Sequence, residues 1–170
     1  MSFHDPCRVK NYICTQVQNV QRKLEIGTDT VLVFADMSKA FDRVSHKGLL
    51  AKLSSIGIQG QLLRWCESYL SHRIQKVVIG GQESDDSLLT SGVPQGSILG
   101  PLFFLVYMNN LPENLNCQVR MYADDVTLMI HYNDPLQAKT QLEENLKLLD
   151  QWARTWHMQF NPVKSEILFI

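Results

Sequence analysis

Long hydrophobic runs are missing from this sequence. The 170 residues contain no uncharged apolar stretch of about 18 residues, the length that a membrane-spanning helix needs. The start of the chain, Met1 to Lys10, is polar and has no apolar segment of the kind that a secretory signal requires. We therefore expect an intracellular protein with no membrane partner, in either the nucleus or the cytoplasm.

Cysteine is also scarce. No two of the cysteines form a CxxC pair, and no cluster of histidines lies near them to complete a tetrahedral zinc site. The four are Cys7, Cys14, Cys66 and Cys117. We expect reduced, partly buried thiols and no zinc ribbon or disulfide framework.

The chain lacks an excess of charge of either sign. It has 16 Lys and Arg residues against 17 Asp and Glu residues, which gives a formal net charge of −1. Proteins that bind nucleic acid usually carry a basic surface that neutralises phosphates. Either this chain binds no nucleic acid, or the basic surface of its site lies elsewhere.

What the sequence does have is apolar residues, at 45% of the chain. This is enough for a continuous core in a chain of this size. No repeat, low-complexity tract or Gly/Ser-rich linker divides the sequence, so we expect one compact domain.

Strand patterns flank the acidic residues of most interest. Residues 30–35 are a continuous apolar, β-branched run, typical of a strand that is buried on both faces, and the run ends at Asp36. Residues 118–123 and 126–132 are two more strand patterns, separated only by Asp124-Asp125. They predict a hairpin with both carboxylates at its tip.

Helical spacing and turn residues account for the remainder of the chain. A hairpin pattern spans residues 73–90 around Gly80-Gly81, and a short apolar strand pattern closes the chain at residues 167–170. Helices are predicted over residues 49–56, 62–70 and 98–108, and after the capping pair Asp134-Pro135. Together these patterns predict an α+β fold, with a mainly antiparallel sheet packed on helices.

The carboxylates Asp36, Asp124 and Asp125 are placed where burial and mutual repulsion disfavour their charged forms. A divalent cation would relieve both penalties, and hard oxygen ligands with room for water and phosphate favour Mg²⁺. Two such ions support phosphoryl transfer. Taken alone, the Asp pair is equally typical of a polar turn and Asp36 of a helix N-cap.

Three segments resemble the motifs of reverse transcriptases. FADMSKAFD at Phe34–Asp42 is similar to motif A, SGVPQGSILGP at Ser91–Pro101 to motif B, and YADD at Tyr122–Asp125 to motif C, in the family's order. The stretches 42–75 and 104–112 further resemble non-LTR (LINE-type, jockey- or CR1-like) retrotransposons. This resemblance implies a polymerase palm with a ferredoxin- or RRM-like core, partial fingers and no thumb.

The resemblance also implies a metal site and an acid. It assigns Asp36 and Asp124 as ligands of two Mg²⁺ ions, which Mn²⁺ could replace, and gives Asp125 a secondary role as ligand. Successive strand residues point to opposite faces, so Asp124 and Asp125 can converge only if the tip departs from extended geometry. Lys164, in the motif-D-like NPVK, is assigned as the general acid for the leaving pyrophosphate, although a surface lysine would give the same pattern. The backbone carbonyl of Met37 is expected to assist the triphosphate and metal, as a further substrate contact.

Three residues match the family's nucleotide contacts. Phe41 matches the ring that excludes a ribose 2′-hydroxyl, and core packing is its alternative interpretation. Gln95 and Gly96 match motif B positions that approach the incoming nucleotide and template, where glycine permits close backbone approach. A plain loop before a helix is their alternative.

Other conspicuous residues are given structural roles. His46 opens a predicted helix and is expected to cap or pack rather than to transfer protons. Trp152 and Trp156, four residues apart on a leucine-rich helix, are expected to be core residues rather than a base-stacking platform.

The implied activity is RNA-directed DNA synthesis, with an RNA template, a DNA primer and dNTPs as partners in a ribonucleoprotein. Residues 1–29 are interpreted as a residual fingers or connecting segment, and residues 30–170 as the palm with motifs A to D. We expect a fragment, because the last strand pattern reaches the final residue. Fingers, thumb and endonuclease parts of a parent polyprotein would then carry the missing basic surface.

Two alternatives stay open. The chain could be a non-catalytic or domesticated palm remnant that acts as a nucleic-acid or protein interaction module. It could also derive from a group II intron-type reverse transcriptase, although SGVP and the segment after motif B are closer to the LINE type.

Overall fold

The computed structural model describes residues 6–170, with side chains described for residues 14, 15 and 17–170. The thiol of Cys7 lies outside the described side chains, and residues 1–5 of the predicted fingers segment lie outside the described residues. Composition led us to expect one compact domain, whereas the described chain separates into two compact units. Unit 1 contains residues 6–38 and 110–170, and unit 2 contains residues 39–109.

Eight strands, five α-helices and two short 3₁₀ helices are found in the described residues. The strands are β1 (Asp29–Ala35), β2 (Ile74–Gln75), β3 (Val78–Ile79), β4 (Gln82–Glu83), β5 (Ser87–Leu88), β6 (Gln118–Tyr122), β7 (Asp125–Tyr132) and β8 (Glu166–Phe169). The helices are α1 (Pro6–Glu25), α2 (His46–Ser55), α3 (Gly60–Leu70), α4 (Leu99–Met108) and α5 (Pro135–Thr155). None of these helices is both long and apolar enough to cross a membrane.

Unit 1 is built on a four-stranded sheet with the order β6-β7-β1-β8. Each neighbouring pair is antiparallel. Along the chain, the four strands of this sheet are β1, β6, β7 and β8. The first of them lies between the third and the fourth, which is the strand order of a ferredoxin-like sheet. The predicted α+β class and mainly antiparallel sheet are confirmed.

The central strand β1 is covered on both faces, which explains its continuous apolar run. Successive residues Val31, Leu32 and Val33 are all buried, although they point to alternate faces. Leu32 packs with Met129 of β7 and Val20 of α1, and α5 packs against β7. Burial of this strand fixes the position at which it ends.

At the edge of the sheet, β8 is much less covered. Ile167, Leu168 and Phe169 are 47%, 48% and 62% exposed. This strand pairs with β1 on one side, from Phe34↔Glu166 to Val31↔Phe169.

Unit 2 is a small helical unit with an exposed hairpin. Helix α2 packs against α3 and α4, and its core includes Leu49, Leu53, Leu70, Phe104 and Tyr107. The predicted hairpin is present, but it pairs only in two short ladders, β2 with β5 and β3 with β4.

The secondary structure differs from the prediction at two places. The tip of the β6–β7 hairpin is Ala123-Asp124, because Asp125 already pairs with Tyr122 as the first residue of β7. The predicted tip was therefore wrong by one residue. Helix α1 was not anticipated in the segment interpreted as residual fingers.

Candidate active site

The register of the unit 1 sheet brings the three aspartates to one end. The β1–β7 ladder ends with the pair Ala35↔Val126, so Asp36 and Asp125 are the next residues on each strand. Asp124 lies in the two-residue turn that joins β6 to β7. Residues far apart in sequence therefore meet because two buried strands end together.

The turn itself departs from extended geometry. Ala123 has a φ of 53°, in the left-handed region that L-residues rarely adopt. A turn of this kind satisfies the condition under which Asp124 and Asp125 can face a common ligand.

The carboxylates also influence one another electrostatically. Partial burial of its carboxyl group raises the pKa of Asp125 above the ordinary value, and the charges of Asp124 and Asp36 raise that pKa further. The ion pairs found in the described chain involve other residues. No described lysine or arginine forms an ion pair with this cluster.

This arrangement fits a divalent cation in its chemistry. Three carboxylates offer hard oxygen donors at one end of a sheet, where added positive charge would relieve their repulsion. Among the described residues, however, no group of three or more His, Cys, Asp or Glu side chains is close enough together to hold a metal ion. The carboxylates are neighbours that have not converged on one point.

The backbone of Asp36 is held by a segment that sequence reasoning treated only as a source of Lys164. The amide N of Asn161 donates to the Asp36 carbonyl at 2.8 Å, and the Asp36 amide N donates to Ser165 Oγ at 3.2 Å. The Ser165 hydroxyl in turn donates to the Asn161 carbonyl at 2.7 Å. Lys164 is exposed within this turn.

Asn161 and Ser165 had no predicted role. The available signal was Asn161-Pro162, a turn-forming pair, and Asn161 Oδ1 indeed accepts from the Val163 amide N at 3.1 Å. Met37, next to Asp36, forms a bridge with Phe160 and is 3% exposed.

The predicted nucleotide contacts Phe41, Gln95 and Gly96 all belong to unit 2. The Phe41 ring stacks on the buried Phe104 ring with centroids 4.5 Å apart. Gln95 Nε2 donates to Asp42 Oδ1 at 3.0 Å. Gly96 has a φ of 77° with no atom near the position of a Cβ, so its backbone conformation, not lack of space, favours glycine.

The residues expected to be structural are packed. His46 Nε2 lies 2.8 Å from the Gly92 carbonyl, which can only accept, so the ring nitrogen donates. Trp152 is 3% exposed and its indole nitrogen donates to Asn110 Oδ1 at 3.0 Å. Its predicted place in the core is confirmed.

Comparison with known proteins supplies independent findings. The family model described as reverse transcriptase (RNA-dependent DNA polymerase) matches residues 2–169. The chain is 31% identical over 165 residues to the RNA-directed DNA polymerase from mobile element jockey of Drosophila melanogaster, covering 92% of this chain and 17% of that protein. It is 34% identical over 141 residues to the probable RNA-directed DNA polymerase from transposon BS of the same species, covering 78% and 16%.

Among solved structures, the fold is similar to apo telomerase from Candida tropicalis truncated from its C-terminal domain. The TM-score is 0.69 at 13% sequence identity, over 94% of this chain and 35% of that chain. The two curated relatives are much longer proteins, and the chain spans only 17% and 16% of their lengths.

Proposed function

Because the chain belongs to the reverse transcriptase (RNA-dependent DNA polymerase) family, we propose that it is the palm of a non-LTR retrotransposon RNA-directed DNA polymerase. The proposed reaction transfers a dNMP from a dNTP to the 3′-hydroxyl of a DNA primer on an RNA template, and releases pyrophosphate. The observation that carries this proposal is that Asp36, Asp124 and Asp125 lie at the same end of the sheet, where β1 and β7 end together.

In this proposal Asp36 and Asp124 are ligands of two Mg²⁺ ions, and Asp125 is a supporting ligand. The ions, when bound, activate the primer 3′-hydroxyl and stabilise the charge of the departing pyrophosphate. The chain itself contributes oxygen donors whose spacing is set by strand register and by the Ala123 turn. Positioning and charge neutralisation are the main requirements of phosphoryl transfer.

The other predicted site residues are assigned to substrate binding and to proton transfer. We assign the partly exposed Phe41 ring to exclusion of a ribose 2′-hydroxyl, supported by its stacking on Phe104. Gln95 and Gly96 are assigned to the incoming nucleotide and its template partner, and the Met37 carbonyl to the substrate. Lys164 Nζ is assigned to protonate the leaving pyrophosphate.

The partners are an RNA template, a DNA primer and dNTPs, in a nuclear or cytoplasmic ribonucleoprotein. A net charge of −1 gives the chain no excess of positive charge with which to neutralise the phosphates of these partners. We propose that fingers, thumb and endonuclease segments of a longer protein provide most of the phosphate contacts, with residues 1–29 connecting to the fingers and residues 30–170 forming the palm.

The test is primer extension with Asp124→Asn, in a protein that carries the flanking segments of the parent reading frame. We expect incorporation of dNTPs on an RNA template to fall at least about 10³-fold, since a charged ligand is lost from the reacting centre. Circular dichroism and thermal unfolding should match the wild type.

The matched control is Asp150→Asn, which removes an exposed carboxylate of the same unit whose ion-pair partner among the described residues is Arg154. It should retain full activity. Equal incorporation by the wild type and Asp124→Asn would overturn the catalytic assignment of Asp124. No incorporation by the wild type would favour a non-catalytic palm remnant.

A further inference from the structure

The Asp42 carboxylate fixes the orientation of the Gln95 side chain in unit 2. Gln95 Nε2 donates to Asp42 Oδ1 at 3.0 Å. An ionised carboxylate can only accept hydrogen bonds, so the glutamine must turn its NH₂ group, and not its oxygen, towards Asp42. The amide Oε1 and the second N–H are then left to meet another molecule.

The segment that carries Asp42 is hydrogen-bonded to the segment just before Gln95, through two backbone–backbone and two side chain–backbone contacts. Four contacts join residues 41–46 to residues 91–93, each between 2.8 and 2.9 Å. They are Val93 N to Phe41 O, Ser91 Oγ to Asp42 O, Gly92 N to Val44 O, and His46 Nε2 to Gly92 O. Asp42 is therefore held near Gln95 independently of its own side-chain bond.

Gly92 makes this close approach possible. Its φ is 91°, and a Cβ built on it would lie 3.0 Å from both the Cα and the carbonyl oxygen of Asp42. Since backbone atoms cannot rotate away, a side chain at this position would push the two segments apart.

Both side chains border a cavity of about 600 Å³ within unit 2. Polar groups from Lys39, Arg73 and Gln75 also line it, and Asp42 is the one carboxylate in the lining. One of its oxygens is engaged by Gln95. This makes Asp42 the group that determines how the amide of Gln95 meets a molecule entering the cavity.

We propose that Asp42 is a positioning residue that sets the polarity of the Gln95 amide towards the incoming nucleotide. Asp42 itself does not touch the nucleotide. By accepting one N–H of Gln95, it presents Oε1 as an acceptor and the second N–H as a donor for the nucleotide. This inference rests on the proposed polymerase function for its ligand, whereas the orientation of Gln95 does not.

The orientation is tested first without any activity, by ¹⁵N–¹H NMR of the 170-residue chain. The Gln95 side-chain NH₂ resonances are identified by their loss in Gln95→Ala. In Asp42→Ala they should move to the positions of a freely rotating glutamine amide. Asp85→Ala, which removes an exposed carboxylate of the same unit, should leave them in place. Unchanged Gln95 resonances in Asp42→Ala would overturn the proposal.

Kinetics then test the effect on the nucleotide, in a protein with the flanking segments. Asp42→Ala should raise KM for dNTP about tenfold, as expected for loss of one hydrogen-bonded orientation, with kcat within about twofold of the wild type. Asp42→Asn should restore KM to within about threefold, because its Oδ1 still accepts from Gln95.

The double variant Asp42→Ala with Gln95→Ala should be no worse than Gln95→Ala alone. Multiplying effects, or a fall in kcat with KM unchanged, would overturn the positioning role. If the wild type extends no primer under any condition, the polymerase proposal fails, and the NMR result decides the Asp42–Gln95 orientation by itself.

Discussion

Unit 1 and unit 2 hold their candidate site residues by different means. In unit 1 the carboxylates of Asp36, Asp124 and Asp125 are placed by strand register and one strained turn, and their charges are not neutralised by an ion pair in the described chain. In unit 2 the side chains of Phe41 and Gln95 are fixed by direct contacts. A site that takes up a cation needs uncompensated charge, whereas a site that recognises a nucleotide needs donors and acceptors of fixed direction.

The largest effect is expected in unit 2, from a substitution that separates the hydrogen-bonded segments 41–46 and 91–93. Gly92→Ala should lower the free energy of unfolding by about 3 kcal/mol, because it adds a backbone clash to an unfavourable φ. Gly96→Ala is the matched control, since its φ of 77° is similar but its Cβ would meet nothing. It should cost about 1 kcal/mol.

Urea unfolding of the wild type and the two glycine variants measures both values. Equal losses would mean that the approach of Gly92 to Asp42 does not hold unit 2 together.

The reactivity of two thiols sharpens the comparison, because each unit shields one of them. Cys66 of unit 2 is buried and Cys117 of unit 1 is partly buried. Burial raises the pKa of Cys117 in unit 1 to about 11 and raises that of Cys66 in unit 2. Only the thiolate reacts, so at pH 8 a rise in the pKa from 9.0 to about 11 should slow alkylation of Cys117 roughly 100-fold. Because the folded state favours the neutral thiol of Cys117, the stability of the fold relative to the unfolded chain decreases as the pH rises through about 11.

Mass spectrometry after iodoacetamide treatment, in a Cys7→Ser background, follows each site separately. The exposed Cys14 is the internal reference. Labelling of Cys117 as fast as Cys14 would mean that the interior of unit 1 opens readily.

The smallest expected effect concerns the turn that carries Asp124. Ala123→Gly should stabilise unit 1 by about 0.5–1 kcal/mol, because relief of the left-handed strain exceeds the added entropy of the unfolded glycine. Ala153→Gly, in the buried part of α5, should instead destabilise by about 1 kcal/mol. A loss of stability in both variants, measured by urea unfolding, would contradict the strain at Ala123.

Most of the unit 1 sheet was predictable because its signals are local. A buried run predicts β1, and two strand-like runs on either side of Asp124-Asp125 predict the β6–β7 hairpin. Asp134 was expected to cap α5, and its Oδ1 accepts from the Leu136 amide N at 3.1 Å. The position of the tip was not predictable, because alanine is not a residue that signals positive φ.

The contacts that complete each site were beyond the reach of sequence patterns. Ser165 bonds to Asp36 across 129 residues and Gln95 to Asp42 across 53. Periodicity and turn chemistry describe neighbours in sequence, so they carry no information on such pairs. The roles of the individual site residues, taken from the family motifs, stay predictions.

The open edge of β8 has a consequence for colloidal behaviour in the test tube. Within the part of the chain that the structure describes, β8 pairs on one side only and carries exposed Ile167, Leu168 and Phe169. Such a strand is a template for pairing with other chains. The 170-residue chain should therefore precipitate more readily as its concentration or the ionic strength increases, and Lys substitutions at the exposed positions of β8 are the natural way to keep NMR samples clear.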